Sequence, residues 1–161
     1  MIRKILLVLL LALIAIQFFH PKRNKTTADQ QYAIGKKFPI PADVNHILSI
    51  ACLDCHSNNT RYPWYSKVQP VDWWMTGHIN KAKRELNFDE YTNKSPRYQY
   101  NKMKASINEL KEGAMPLKSY LWIHKDAKLT KEEKDKVMAW ANSVMDTLKA
   151  HYPMDSLVRK K

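Results

Sequence analysis

The stretch Ala51-Cys52-Leu53-Asp54-Cys55-His56 carries the most specific chemical pattern in this sequence of 161 residues. Two cysteines separated by two residues, with a histidine directly after the second, form the pattern that attaches c-type haem covalently. The spacing suits the chemistry, because one turn of backbone presents two thiols to the two vinyl groups of a haem. A neutral imidazole is a good iron ligand. The pattern therefore predicts thioether bonds at Cys52 and Cys55, with His56 as the proximal iron ligand.

The alternatives for this pair are few, because the chain has only 2 cysteines. A structural zinc site needs about four ligands, and the sequence has neither a second cysteine pair nor a pair of closely spaced histidines. A thioredoxin-like redox pair is expected beside a βαβ pattern, which the sequence does not show. The remaining alternative is a protein without haem, in which the pair forms a disulfide or serves an interaction.

The N-terminus has the pattern of an export segment. A short basic start at residues 1–4 precedes residues 5–19, an apolar run interrupted only by Gln17. A basic start and a short apolar core are typical of a signal peptide. No small-residue cleavage pattern follows, which favours an uncleaved signal-anchor, although the run is shorter than the ~20 residues of a spanning helix. Residues 1–20 are therefore predicted to be a signal-anchor or signal peptide that binds the membrane.

Composition predicts the class of the remaining chain. Glycine is scarce, at 3 residues, and hydrophobic residues make up 45%, which is typical of a helical globular domain. The net charge of +12 is spread along the chain and indicates solvated basic faces. Such a surface can steer an acidic redox partner or lie against anionic lipid. No nucleic-acid-binding motif is present, so nucleic acid is not expected as a partner.

Apolar periodicity predicts an all-α domain. Residues 21–38 are polar and lysine-rich and are predicted to be a linker, and residues 39–152 to be the folded domain, followed by a basic tail at 153–161. Within the domain, helical spacing predicts helices at residues 42–51, 71–86 and 96–110. A capping box at Thr130 and Glu133 predicts the start of a final helix that ends at Tyr152.

Two residues are candidates for the distal iron ligand. Met115 lies in Gly113-Ala114-Met115-Pro116, where the glycine ends a helix and the proline keeps the following loop extended. A thioether is a suitable ligand for haem iron opposite histidine. His78 lies on the apolar face of the predicted helix 71–86. It is either a hydrogen-bonded core histidine or the alternative distal ligand, and Met115 is the preferred candidate.

The loop after His56 supplies candidate residues for the haem pocket. Trp64 and Tyr65 are large and flat, and could cover a haem edge and exclude water. Arg61 could pair with a haem propionate, because a guanidinium presents a fork of donors to a carboxylate. Ordinary core packing is the alternative role for the two aromatic residues.

These motifs in combination resemble the bacterial haem-binding domain family related to cytochrome c. The resemblance covers residues 44–148 and rests on the attachment motif followed by Ser57-Asn58, Trp64-Tyr65, His78, Asn87-Phe88, Met115-Pro116, Tyr120, His124, Ala127 and Leu129. It implies a cytochrome c-like helical domain around covalent haem c, with His56 proximal and Met115 distal. It also implies attachment outside the cytoplasm, and hence a periplasmic protein anchored to the inner membrane. The long segment between His56 and Met115, which carries His78, departs from a minimal class I cytochrome c.

Two functions follow as hypotheses. The first is a membrane-tethered monohaem c-type cytochrome that passes single electrons to redox partner proteins, since two strong axial ligands leave no open iron position. The alternative is a haem enzyme or gas sensor with an open or labile sixth position, peroxidase-like in character. In that case His78 or His124 would act as a distal acid–base or hydrogen-bonding group.

Overall fold

The computed structural model describes residues 1–158, and their regular structure is helical with no β-strand. This confirms the predicted all-α class. The eight α-helices of residues 1–158 are α1 Ile2–Ile16, α2 Ala42–Ala51, α3 Leu53–His56, α4 Val71–Glu85, α5 Pro96–Glu112, α6 Lys118–Leu121, α7 Lys131–His151 and α8 Met154–Leu157. Four short 3-10 helices connect them, at Ile34–Lys36, Trp64–Lys67, Phe88–Glu90 and Lys125–Ala127.

The helix ends follow from local sequence chemistry. The Ser95 side chain accepts a hydrogen bond from the backbone N–H of Tyr98, and Pro96 opens α5. Gly113 ends α5 with φ of 67°, a left-handed conformation that glycine adopts without a Cβ penalty. Thr130 and Glu133 form the reciprocal capping box of α7. The predicted boundaries of these helices are therefore confirmed to within about two residues, the usual uncertainty of helix ends.

The core lies where α5 packs on α7 and α2 packs across α7. Each helix contributes one apolar stripe, as the 3.6-residue period predicts. The Trp140 indole N–H donates a 3.1 Å hydrogen bond to the Pro39 carbonyl, which ties α7 to the chain before α2. The buried apolar residues of the three helices are Val44, Ile47, Leu48, Tyr100, Met103, Ile107, Leu110, Val137, Trp140, Ala141, Val144, Met145 and Leu148.

Helix α1 is apolar on all sides after Arg3 and Lys4 in its first turn, and none of its residues is buried. It has 15 residues. Among residues 1–158, no helix reaches both the length and the apolar character required to span a bilayer. The role of residues 1–20 as an anchor or export segment stays a prediction.

Residues 21–38 do more than the predicted linker would do. Arg23 donates hydrogen bonds to the Ser66 carbonyl and to the Asp72 carboxylate, at 3.0 Å each. The segment then contributes Ile34 and Phe38 to the main core. Residues 21–38, predicted to be a linker, are therefore a strap that is bound to the domain. Its polar composition concealed this, because its polar side chains hydrogen-bond to the domain instead of to water.

The packed domain also continues beyond the predicted boundary at Tyr152. Helix α8 lies against α5, and Leu157 is completely buried in the core. Arg97 donates hydrogen bonds to the backbone carbonyls of Asp155 and Ser156, at 3.2 and 3.0 Å. The predicted basic tail is thus part of the fold as far as this helix. Its last residues, 159–161, lie outside the described residues.

Candidate functional site

The attachment motif lies at the junction of α2 and α3. Cys52 ends α2 and caps α3, so Cys55 and His56 occupy the next helical turn. Both thiols are free. Burial raises the pKa of the Cys52 thiol to about 12 and that of Cys55 to about 11, so both are protonated at neutral pH. The structure thus places the two thiols one helical turn apart, as covalent attachment of a haem requires.

His56 is held in one tautomer. Its Nδ1 donates a 2.8 Å hydrogen bond to the backbone carbonyl of Leu86, just after α4. A carbonyl can only accept, so the proton is on Nδ1 and Nε2 keeps a free lone pair. Burial lowers the pKa of His56 below its ordinary value, which keeps the imidazole neutral at pH 7. The ring also meets the Phe88 ring edge to face, with centroids 6.5 Å apart.

A cavity of about 300 Å³, which we call the Met115 cavity, lies beside the motif. Cys52, His56 and Met115 all line it. Its walls come mainly from α2, α5 and α7, and include Leu48, Leu86, Phe88, Met103, Leu110, Val137 and Trp140. The only close ion pair on its wall joins Lys102 to Glu85 at 2.8 Å, among the described residues. The structure therefore brings the predicted proximal and distal residues to one apolar space.

The turn after α5 places Met115 at the wall of the Met115 cavity. Gly113 reverses the chain, and the backbone N–H groups of Ala114 and Met115 both donate to the Glu109 carbonyl, at 3.0 and 3.3 Å. Pro116 follows and is buried. The hydrogen-bonded turn and the buried proline fix the loop on both sides of Met115.

A second cavity of about 490 Å³, the His78 cavity, borders the other cysteine of the motif. Its lining includes Cys55, Arg61, Tyr65, Trp74, His78, Tyr120 and His124. The Nδ1 of His78 donates a 2.9 Å hydrogen bond to the Trp74 carbonyl, one turn earlier on α4. Its other nitrogen is therefore free to accept. His78 and Met115 line different cavities.

Asp54, inside the motif, anchors a hydrogen-bond network at the His78 cavity. Its carboxylate is buried and accepts from Nε and Nη2 of Arg61, at 3.0 and 3.1 Å, and from the Tyr120 hydroxyl at 2.8 Å. Burial, followed by the hydrogen bond to Asp54, raises the pKa of Tyr120 above its ordinary value. The Tyr120 ring stacks on His124 at 4.0 Å, and His124 Nε2 is hydrogen-bonded to the Tyr65 hydroxyl.

The pocket residues expected from the loop after His56 therefore have different environments. Arg61 forms its close ion pair with Asp54, and that hydrogen bond raises the pKa of its guanidinium. Tyr65 lines the His78 cavity, whereas Trp64 lines neither cavity and is largely exposed. The role of Asp54 was missed, because the identity of the two residues between the cysteines is free in the motif. The spacing of Tyr120 and His124, four residues apart, could have revealed their stacking.

No group of three or more His, Cys, Asp or Glu side chains able to hold a metal ion occurs among residues 1–158. The donor set beside the motif is of another kind. The Cys52 thiol, the neutral His56 imidazole and the Met115 thioether line one apolar space, and the Cys55 thiol lies on the side of the His78 cavity. These groups fit a covalently bound haem, whose ring needs apolar walls and whose iron accepts nitrogen and sulfur ligands.

Comparison with known proteins gives one match. No curated protein and no solved structure is significantly similar to this chain. The sequence model of the family described as a haem-binding domain matches residues 11–143. This range includes the attachment motif, both cavities and most of α7. The chain therefore belongs to the haem-binding domain family.

Proposed function

We propose that this haem-binding protein is a c-type cytochrome that transfers single electrons. Haem would be bound covalently through Cys52 and Cys55, with iron between His56 and Met115. The observation that carries the proposal is that Cys52, His56 and Met115 line the same apolar cavity. When bound, haem supplies an iron atom that cycles between two oxidation states.

His56 is suited to the proximal position for a chemical reason. The hydrogen bond from Nδ1 to the Leu86 carbonyl fixes the ring orientation and leaves the Nε2 lone pair for a metal. The lowered pKa keeps that lone pair free of a proton at neutral pH. A carbonyl that accepts a hydrogen bond from the far ring nitrogen also makes the imidazole a stronger metal ligand.

Met115 is favoured over His78 as the distal ligand. Met115 shares the Met115 cavity with His56, whereas His78 lines the cavity on the Cys55 side. A Met–His pair raises the reduction potential of haem relative to two histidines. It also leaves no free iron position, which suits electron transfer better than catalysis.

The cavity walls provide water exclusion and one cation. Phe88, Met103 and Trp140 are buried residues that give the cavity low polarity. Lys102 is a better candidate than Arg61 for a haem propionate, because Lys102 lines the Met115 cavity whereas Arg61 lines the His78 cavity. The present partner of Lys102 is Glu85, a largely exposed carboxylate.

The proposed location of the protein is the periplasmic side of the inner membrane, with residues 1–20 as the anchor or export segment. The basic residues Arg3 and Lys4 at the start of α1 and the exposed apolar residues that follow them support this role. The net charge of +12 would favour association with acidic redox partner proteins.

A haem enzyme or gas sensor is the second candidate. His78 and His124 both line the His78 cavity next to Cys55, and Tyr65 is hydrogen-bonded to His124. Such groups could act on a small ligand at an open iron position. Carbon monoxide separates the two candidates, because it binds rapidly to reduced haem only where the sixth position is open.

The test is to express the full chain in a host that matures c-type haem, and to denature the purified protein. Haem that stays on the polypeptide, with the pyridine haemochrome spectrum of two thioethers, is the expected result. Reduced protein that does not bind carbon monoxide would support the electron carrier. A matured protein without covalent haem would refute the proposal.

A further inference from the structure

Four of the five tryptophans are on the protein surface. Trp64, Trp73, Trp74 and Trp122 are 78%, 42%, 49% and 75% exposed, whereas Trp140 is 4% exposed. Large aromatic side chains are usually buried, and contiguous exposed ones mark interaction sites. If these four residues are contiguous, they would mark an interaction surface.

They are neighbours in space. Trp74, Trp122 and Ile123 line the same His78 cavity, and Ile123 is 60% exposed. Trp64 packs edge to face on Tyr65, another residue of that cavity, with ring centroids 5.9 Å apart. Together with Trp73, which adjoins Trp74 on α4, they form an exposed group around the cavity, which we call the aromatic surface.

The aromatic surface is joined to the end of α1. The Trp73 indole N–H donates a 3.0 Å hydrogen bond to the Phe19 carbonyl, and the buried Gln69 side chain donates to the same carbonyl at 2.7 Å. Gln17 forms two further hydrogen bonds with the Gln69 backbone. Phe18 and Phe19 are themselves exposed. The apolar surface of α1 therefore continues into the aromatic surface.

Three lysines lie around this surface, with the acidic Asp126 next to one of them. Lys67 follows Trp64 on one 3-10 helix, and Lys118 and Lys125 flank the segment that carries Trp122 and Ile123. All three lysines are exposed, and none forms an ion pair with another described residue. Tryptophan beside lysine is the composition of protein segments at the interface of a membrane with anionic headgroups.

We propose that the aromatic surface lies on an anionic phospholipid bilayer, with its tryptophans at the level of the headgroups. This deepens the proposed function and rests on α1 being the membrane segment. The hydrogen bonds from Trp73 and Gln69 to Phe19 hold the end of α1 at this surface. Insertion of α1 therefore brings the tryptophans and the His78 cavity to the membrane.

The test is hydrophobic photolabelling of the full-length haem protein on vesicles of phosphatidylcholine and phosphatidylglycerol. A diazirine dissolved in the bilayer is activated, and labelled tryptic fragments are identified by mass spectrometry. We expect label on fragments 68–81 and 119–125 as well as on α1, and little on fragment 137–149, which carries the buried Trp140. Label on α1 alone would leave the membrane segment intact and overturn the aromatic surface. If α1 carried no label either, both the membrane segment and the aromatic surface would be refuted.

A pair of variants gives an independent measurement. Trp122→Ser with Ile123→Ser is expected to weaken binding to the same vesicles by about tenfold or more, because two apolar side chains no longer enter the interface. The matched control is Tyr32→Ser with Met154→Ser, which also removes two partly exposed apolar side chains but lies outside this surface. Equal effects of the two pairs would overturn the proposal.

Discussion

The Met115 cavity and the His78 cavity border the same attachment motif but differ in their walls. The first is formed mainly by buried apolar residues of α2, α5 and α7, and contains the two candidate axial ligands. The second is formed by α3, α4 and α6 and by the segments next to them, with a buried carboxylate, two histidines and exposed tryptophans. The difference indicates that the candidate iron ligands lie between the long packed helices, whereas the His78 cavity lies nearer the surface of the domain.

The largest expected difference between the cavities concerns iron ligation. Met115→Ala should open the sixth position, allow carbon monoxide to bind reduced haem, and lower the reduction potential by on the order of 0.1 V. His78→Ala should leave axial ligation and potential unchanged, because His78 lines the other cavity. Absorption spectra and redox titration of both variants provide the measurement. A ligation change in His78→Ala alone would reverse the assignment of the two cavities.

Truncation of a tryptophan to alanine should lower the free energy of unfolding much more at the Met115 cavity than near the His78 cavity. Trp140→Ala removes a buried wall of the Met115 cavity and the hydrogen bond to Pro39, and should cost about 3–5 kcal/mol of unfolding free energy. Trp64→Ala is the matched control at an exposed site, with an expected change within about 0.5 kcal/mol. Denaturant unfolding of the haem-loaded proteins measures both. Similar losses in the two variants would show that Trp64 is also part of the packed structure.

The hydrogen-bond network at the His78 cavity should contribute less to the free energy of unfolding than Trp140 does. Asp54→Ala removes the acceptor for Arg61 and Tyr120, and should lower the unfolding free energy by about 1–3 kcal/mol. Asp135→Ala, which breaks the exposed pair with Lys131, is the control and should have little effect. An Asp54 variant as stable as this control would mean that the network does not support the motif.

Alkaline pH should reveal the contribution of Tyr120. Its folded pKa is raised, so its stabilising effect is complete below the unfolded value of about 10 and is lost as pH rises above it. In Tyr120→Phe, the unfolding free energy should fall less steeply above pH 10 than in the wild type, by at most ~1.4 kcal/mol per pH unit, since partial exposure allows solvent screening. Parallel pH profiles of the two proteins would contradict this.

The sequence predicts the Met115 cavity better than the His78 cavity. Helical periodicity located α2 and α4 to within a residue, and the ends of α5 and α7 followed from caps and glycine. The glycine and proline on either side of Met115 also identified it as a candidate ligand. The Asp54–Arg61–Tyr120 network could not be predicted, because it joins residues up to 66 positions apart through irregular segments. The attachment of residues 21–38 was hidden for the same reason, since polar contacts leave no periodic pattern.

The buried carboxylate of Asp72 restricts how the N-terminus can be processed. It is fully inaccessible, and it forms an ion pair with Arg23 at 3.0 Å and a hydrogen bond with Nδ1 of His20 at 2.8 Å. Proteolytic removal of the segment up to Phe19 would keep both partners. Removal up to Lys25 would leave a buried, uncompensated charge, at a cost of about 3–5 kcal/mol. The strap therefore sets the latest position at which a maturing peptidase can cut without weakening the domain.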